Sequence, residues 1–415
     1  MRDSRKKWLF PCLLSAMVLI AVEGLAQLFY VASYGERYRP VDLPRHAGEQ
    51  SADVTPATEF AEIAQRRILH PYLGYAMDRR ETMGASGKLH PLQKRAEGKF
   101  IVAVTGGSVA NQVRSVLARA FRQAFEERGL PLEPIVIGLS VDGFKQPQQL
   151  ASVNYFLALG AEFDAVINVD GFNDIVLPIV ENYNQKIYPF YPRAWSSFVN
   201  RRPSQTTILG AGEIAFLRQR QGRRVLEANG SILGRSAIYG LYAAREMSRD
   251  GTRIGEIQRR LLAEKVDLPF EAQGPFEEYD DIAEVYLAAA QLWARSSILM
   301  DHVLEGAGSR YFHVLQPNQY VVGSKVLSQA EEQIAYDMDH PYAPTATRGY
   351  PYLFEASPTI VEAGVRFFDA TPIFRDVAED VYQDSCCHMN SFGKGLLARS
   401  IAEWVTDSVY GSKRE

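Results

Sequence analysis

A serine at the end of a predicted strand is the residue of this chain best placed for nucleophilic chemistry. Residues 101–108 read Ile-Val-Ala-Val-Thr-Gly-Gly-Ser, an apolar run that ends in two glycines and Ser108. A helical pattern of apolar residues begins at Val109, so the hydroxyl would lie on a strand-to-helix turn beside free backbone amides. Such a position suits a nucleophile that attacks a carbonyl, because the developing oxyanion needs preorganised donors. The same turn is also compatible with a structural role in which the glycines serve only sterics.

Three later segments carry residues that could serve the same chemistry at comparable points of the chain. Gly143 follows an apolar strand pattern that begins at residue 135, and Asn173 follows a second strand pattern over 164–170. Asp384 and His388 lie close together, shortly before a C-terminal helical pattern. Because the carboxyl ends of parallel strands meet at one edge of a sheet, strands separated by helices would bring these residues to Ser108.

In chain order these segments supply Ser, Gly, Asn and then a paired Asp and His. The ordered set resembles the SGNH (GDSL-like) hydrolase superfamily, and in particular its membrane-anchored bacterial members. The resemblance implies that Ser108 is the nucleophile, that His388 takes its proton and that Asp384 orients His388. It also implies an oxyanion hole formed by the amides of Ser108 and Gly143 and the side-chain amide of Asn173.

Two departures from the family pattern bear on these assignments. Residue 107 is glycine where the family usually has Asp, and Asp384-Ser-Cys-Cys-His388 is one residue longer than the family's Asp-x-x-His. The extra residue must be absorbed by a tighter loop if Asp384 is to reach His388. Otherwise His388 would act alone or with a backbone carbonyl.

The two adjacent cysteines of that loop allow two readings. Cys386 and Cys387 would form either a strained vicinal disulfide or two reduced thiols packed under the site. No metal site is predicted, because no other cysteine or spaced histidine pair accompanies them. Neither the motifs nor the resemblance implies a cofactor.

Strand and helix patterns alternate along most of the chain. Five apolar strand patterns separated by helices predict an α/β fold, a three-layer α/β/α sandwich of the flavodoxin-like kind, and the resemblance implies that it is of the SGNH type. We expect residues 98–410 to form the catalytic domain, including a mostly helical cap insertion over 176–308.

Two regions of the predicted domain are candidates for substrate binding. Residues 183–198 are crowded with aromatic residues, including Trp195, and would either line a cleft or pack as a loop on the core. Gln316 and Asn318 follow a strand pattern that begins at residue 310. In a parallel sheet they would lie at the same edge as Ser108. They would either hydrogen-bond a polar substrate or satisfy the backbone of their own loop.

The N-terminus predicts the compartment. Basic residues over 1–7 form a cytoplasmic tip, and residues 8–32 form an apolar transmembrane signal anchor. Residues 33–97 are a stalk or wrapping segment. The domain is thereby expected on the periplasmic side of the cytoplasmic membrane, held by a single pass. A signal peptide cleaved after Gly24-Leu25-Ala26 is the alternative.

Composition and resemblance together leave three functions. A formal charge of −4 with 23% charged residues provides no basic field for nucleic acid. The first function is a serine ester hydrolase acting on acylated envelope glycan or lipid. The second is an O-acyltransferase of an exopolysaccharide or cell-wall glycan, a partner of the envelope-polysaccharide machinery. The third is a non-catalytic envelope-assembly protein, which the lengthened Asp-to-His spacing favours.

Overall fold

The computed structural model describes residues 3–47, 67–78, 80–199, 205–263, 269–275 and 278–411. The chain divides into two compact units, one of residues 1–61 and 201–267, the other of residues 62–200 and 268–415. The predicted cap over 176–308 is therefore divided between the two units. Residues 1–2 of the predicted basic tip and residues 48–66 and 79 of the predicted stalk lie outside the described residues.

The strands are β1 (Arg67–His70), β2 (Gly74–Met77), β3 (Lys99–Gly106), β4 (Glu133–Gly138), β5 (Ala165–Asp170), β6 (Arg310–Leu315) and β7 (Arg366–Asp369). The helices are α1 (Asp3–Tyr34), α2 (Ser108–Glu126), α3 (Gln148–Ala158), α4 (Phe172–Leu177), α5 (Trp195–Val199), α6 (Gln205–Gly230), α7 (Ala237–Ala263), α8 (Phe270–Gln273), α9 (Ile282–Gly306), α10 (Gln329–Ala335), α11 (Ala343–Glu362) and α12 (Ser391–Tyr410).

The second unit is built on a parallel five-stranded sheet with the order β4-β3-β5-β6-β7. Numbered along the chain, this order is 2-1-3-4-5, as in flavodoxin-like sheets. Every residue of β5 is buried, as expected for a central parallel strand that is covered on both faces. Helices α2 and α12 pack against each other, and α9 packs against α4 and α11. The predicted α/β class with five parallel strands is confirmed.

A buried hydrogen-bond network fixes the carboxyl end of β5. Asp170 is 1% exposed, and its Oδ1 accepts a hydrogen bond from Trp293 Nε1 at 2.7 Å and lies 2.8 Å from His313 Nε2. Its Oδ2 accepts from Asn168 Nδ2 at 2.7 Å. A buried carboxylate without partners would be costly, so these three partners lock the strand end to α9 and β6. The turn that carries Asn173 starts one residue later.

The first unit joins α1 to the helical hairpin α6–α7. Its core contains Ala26, Tyr30, Tyr38, Leu43, Ala228, Ala237, Ala243, Ala244 and Met247. Within the hairpin, Arg224 Nη1 lies 2.6 Å from Oδ2 of the buried Asp250, and Arg220 binds the same carboxylate. Helix α1 is the one helix among the described residues that is long and apolar enough to cross a bilayer, over Met17–Tyr34.

Candidate active site

Ser108 is the first residue of α2 and follows two glycines. Each of these positions must be glycine for a different steric reason. Gly106 has φ +130°, and a Cβ there would lie 2.1 Å from the carbonyl oxygen of Val169 on the neighbouring strand. A Cβ on Gly107 would lie 2.1 Å from Nδ2 of Asn173. The close approach of β3 and β5 therefore requires the first glycine, and the position of Asn173 requires the second.

The structure brings the predicted Ser108, His388 and Asp384 together. His388 Nε2 lies 2.7 Å from Ser108 Oγ, and His388 Nδ1 lies 2.6 Å from Asp384 Oδ2. Both distances are within hydrogen-bond range. The three side chains form a continuous path along which the serine hydroxyl can lose its proton to the imidazole.

The lengthened Asp-to-His spacing is absorbed by a turn around the carboxylate itself. Asp384 Oδ1 accepts hydrogen bonds from the backbone amides of Cys386 at 3.0 Å, Cys387 at 3.2 Å and His388 at 3.2 Å. The amide of Gln383 donates to the His388 carbonyl at 3.0 Å and closes the loop. One oxygen of Asp384 thus folds the loop while the other faces the imidazole.

Side chains from the segment after β6 form hydrogen bonds with the backbone of this loop. Glu331 Oε1 accepts from the amides of Val381 and Tyr382, both at 2.8 Å, and its Oε2 lies 3.3 Å from Lys325 Nζ. Gln319 Nε2 donates to the Asp384 carbonyl at 3.0 Å. Glu331 lies in the first turn of α10, where Ser328 caps the helix. Its contact with the loop fifty residues later has no signal in local sequence.

Asn318 and Gln316 are both buried rather than open to a cleft. Asn318 is 0% exposed, and its Nδ2 donates to the Cys386 carbonyl at 3.2 Å while its Oδ1 accepts from the Tyr320 amide at 2.9 Å. Asn318 therefore satisfies and braces loop backbone, the second of its two predicted roles. Gln316 is 3% exposed, and its side-chain nitrogen has no hydrogen-bond partner among the described residues.

Asn173 and Gly143 lie on neighbouring turns close to Ser108. Asn173 Nδ2 donates to the Phe144 carbonyl at 2.9 Å. An amide nitrogen carries two protons, so this bond orients the group and uses one of them. Gly143 has φ +78°, and a Cβ there would lie 2.5 Å from Arg193 Cδ. Asp174 ties the two turns together, since it accepts from the amides of Gln146 at 2.7 Å and Gly171 at 3.1 Å.

A cleft of about 370 Å³ lies beside the loop that carries Gly143. Its lining includes Pro147 and Gln148, which follow that loop, and three aromatic side chains of the predicted aromatic segment: Tyr188, Phe190 and Tyr191. Trp195 itself does not line the cleft. Its Nε1 donates to the Glu271 carbonyl at 2.7 Å, and its ring packs edge-on against Tyr191 at 6.0 Å. Trp195 supports a wall residue of the cleft.

Burial and charge act in opposite directions on the imidazole. Burial alone would lower the pKa of His388, but the hydrogen bond to Asp384 and the negative charge of that carboxylate raise it to about 9. The hydrogen bond with Cys387 and burial raise the pKa of the Cys386 thiol well above its usual value. The thiol is therefore neutral at pH 7, and Asp384 is the group that stabilises the imidazolium there.

The two cysteines of the loop are not joined in a disulfide, and their sulfur atoms lie 3.3 Å apart. Cys386, Cys387 and His388 are the only group among the described residues whose ligand atoms cluster closely enough to hold a metal ion. Both ring nitrogens of His388 are already engaged by Ser108 and Asp384. A metal bound at this cluster would have to displace one of those contacts.

Comparison of the chain with models of known protein families gives no match, and comparison with curated proteins finds no related sequence.

The protonation of His388 should control the reactivity of Ser108. Because only the neutral imidazole accepts the serine proton, labelling of Ser108 by a fluorophosphonate should accelerate as the pH rises from 6 towards about 9. In Asp384→Asn the hydrogen-bonded carboxylate that does most to raise the pKa of His388 is replaced by a neutral amide, while burial remains. The midpoint of the pH profile should then move to lower pH, and the maximal labelling rate should fall.

Asp380→Asn is the matched control for this experiment, since Asp380 lies at the start of the same loop and contacts Ser328. It should label with the wild-type profile. An unchanged midpoint in Asp384→Asn would show that Asp384 does not set the pKa of His388.

Proposed function

We propose that this protein is a serine-dependent ester hydrolase of the SGNH type, with the three-layer sandwich of that superfamily. The observation that carries the proposal is the unbroken contact from Ser108 through His388 to Asp384, at 2.7 and 2.6 Å. Its order along the chain and its place at the carboxyl edge of a 2-1-3-4-5 parallel sheet support the same assignment.

The reaction follows from the positions of these groups. Ser108 Oγ attacks the ester carbonyl carbon and its proton moves to His388 Nε2, so that a tetrahedral oxyanion forms. The amides of Ser108 and Gly143 and the side-chain amide of Asn173 would stabilise that oxyanion. The alkoxide leaves with the proton from His388, and an acyl group remains on Ser108. Water then attacks this acyl-enzyme with His388 as base, the acid is released, and Ser108 recovers its proton.

The aromatic cleft supports an acylated glycan or lipid as the substrate. Tyr188, Phe190 and Tyr191 provide apolar faces, which suit sugar rings and acyl chains. A volume of about 370 Å³ is within the usual range for small-molecule sites. Substrates of this kind occur in the cell envelope, where α1 would hold the protein if it spans the cytoplasmic membrane.

O-acyl transfer to a glycan is the second candidate, because the acyl-enzyme is common to both reactions. The aromatic lining of the cleft is the observation that favours it, since Tyr188, Phe190 and Tyr191 offer faces that suit the sugar ring of an acceptor. Hydrolysis and transfer differ only in which nucleophile wins the second step. Adding oligosaccharides to the esterase assay and analysing them for acyl groups separates the two.

The non-catalytic alternative rested on the lengthened Asp384–His388 spacing. The turn around Asp384 Oδ1 removes that support, because the extra residue does not separate the two side chains. Retention of the serine and both its partners in contact supports a catalytic role instead.

Replacing Ser108 tests the proposal directly. In Ser108→Ala the nucleophile is absent, and kcat/KM for a small acetyl ester should fall by roughly a thousandfold or more. Ser115→Ala is the matched control, because Ser115 is an exposed serine on the same helix that bonds only the Gln112 carbonyl. It should retain wild-type activity. Hydrolysis that persists in folded Ser108→Ala, or its absence from the wild-type protein, would contradict the proposal.

Gly107→Ala tests the proposed role of Asn173 without removing any polar group. The new Cβ would overlap Asn173 Nδ2 at 2.1 Å, and the amide would have to turn away. We expect kcat/KM to fall towards the hundredfold-to-thousandfold loss typical of a missing oxyanion donor, about 10²–10³. The free energy of unfolding, measured in denaturant, should change much less.

Gly395→Ala is the control, since nothing lies within 4 Å of a Cβ at that helical position. Wild-type kcat/KM in Gly107→Ala would show that the amide of Asn173 does not contribute to the reaction.

A further inference from the structure

The carboxylate in the middle of the apolar N-terminal helix has a specific partner. Glu23 accepts hydrogen bonds from Ser236 Oγ and from the Ala237 amide, both at 2.6 Å. Ala237 is the first residue of α7, so Glu23 caps that helix where backbone amides lack intrahelical partners. Tyr38, which lies four residues after the end of α1, also binds this turn, since its hydroxyl donates to the Gly234 carbonyl at 2.7 Å. The turn of the helical hairpin is thus fixed to α1 at the level of Glu23.

The length of the apolar run in α1 places Glu23 within the bilayer that this helix would cross. Residues Trp8 to Val22 precede Glu23 and follow the basic residues. These fifteen residues extend about 22 Å at about 1.5 Å per residue, whereas a hydrocarbon core is about 30 Å thick. With the basic residues at the cytoplasmic boundary, Glu23 lies inside the outer half of the bilayer or at its edge. A carboxylate at that depth needs protein partners, and the hairpin supplies two.

The hairpin tip, residues 226–236, exposes apolar side chains at the depth of Glu23. Ile232 is 89% exposed and Leu233 77% where α6 turns into α7, and Leu226, 73% exposed, lies in the last turns of α6. The tip adjoins α1, whose own side chains such as Ile20, 72% exposed, are uncovered in the same way. The exposed Arg235 has a long side chain of the kind that reaches lipid phosphates from an apolar surface.

We propose that the hairpin tip inserts into the outer leaflet beside α1, with Ile232 and Leu233 among the acyl chains. Lipid is the occupant favoured by the continuity of the tip with the apolar surface of α1 and by its tie to Glu23. This inference rests on α1 crossing the membrane and is independent of the esterase chemistry. It also favours a retained anchor, because cleavage after Ala26 would remove Glu23 and leave the start of α7 without its cap.

Quenching by lipids brominated in their acyl chains tests the insertion in the full-length protein. The chain has tryptophans at 8, 195, 293 and 404, so the signal is the emission added by Ile232→Trp over wild type, in phosphatidylcholine–phosphatidylglycerol vesicles. We expect brominated lipid to remove most of this added emission. Phe216→Trp is the matched control. Phe216 is also exposed, at 59%, but lies in α6 fourteen residues before Gly230, the last residue of that helix. Its added emission should persist.

Two results would overturn the proposal and differ in what they imply. Unquenched Ile232→Trp emission together with quenched Trp8 emission would show that α1 enters the bilayer while the tip stays outside, covered by protein or water. If emission from Trp8, isolated with a Trp8→Phe variant, is also unquenched, α1 itself does not lie in the membrane. Esterase activity measured on the same samples shows whether the catalytic account stands in either case.

Discussion

The placement of His388 depends on the way Asp384 uses its two carboxylate oxygens. Oδ1 gathers three consecutive backbone amides and forces the loop to turn, and Oδ2 is thereby left facing the imidazole. An ionised carboxylate accepts several hydrogen bonds at once, so one residue can fold its own loop and orient its partner. Burial alone would raise the pKa of Asp384, but the hydrogen bonds from His388 and the backbone hold it below its usual value. The carboxylate stays charged at neutral pH, as both functions require.

Acidic side chains that accept backbone amides recur in the other loops around the site, although burial and the charge of Asp170 raise the pKa of Asp174 to about 8. Glu331 accepts two amides of the segment that leads into the Asp384 loop, and Asp174 accepts one amide from each of the turns that carry Gly143 and Asn173. Asp170 fixes the strand end between them through side-chain donors. The backbone N–H groups of a loop have few acceptors within the loop itself. A buried acidic side chain that accepts several of them therefore fixes the conformation of the loop. The positions of the proposed catalytic groups rest on this set of buried acids.

Much of this arrangement could be predicted from the sequence, and the reasons for the failures are physical. Apolar runs and turn residues predicted all five parallel strands, and the ordered polar residues at strand ends predicted which side chains would meet. Local patterns contain no information about contacts such as Glu331 with Val381 or Asp170 with Trp293, which join distant segments. Asn318 illustrates the same limit, because an asparagine after a strand looks identical whether it faces a ligand or braces backbone. Local sequence also could not predict that the cap over 176–308 is divided between two units. Residues 201–267 group with the N-terminal segment through long-range packing, which local patterns do not encode.

Detection of an acyl group on Ser108 would test the central claim most directly. The protein is mixed at neutral pH with an activated acetyl ester, whose good leaving group makes acylation faster than deacylation, freed of unreacted ester by rapid gel filtration, quenched in acid and analysed by peptide mass spectrometry. The account predicts one acetyl group on the peptide that contains Ser108, at the serine itself, and its disappearance when the pH is raised before quenching. A folded protein that acquires no acetyl group, or acquires it only on another residue, would contradict the assignment of Ser108 as the nucleophile.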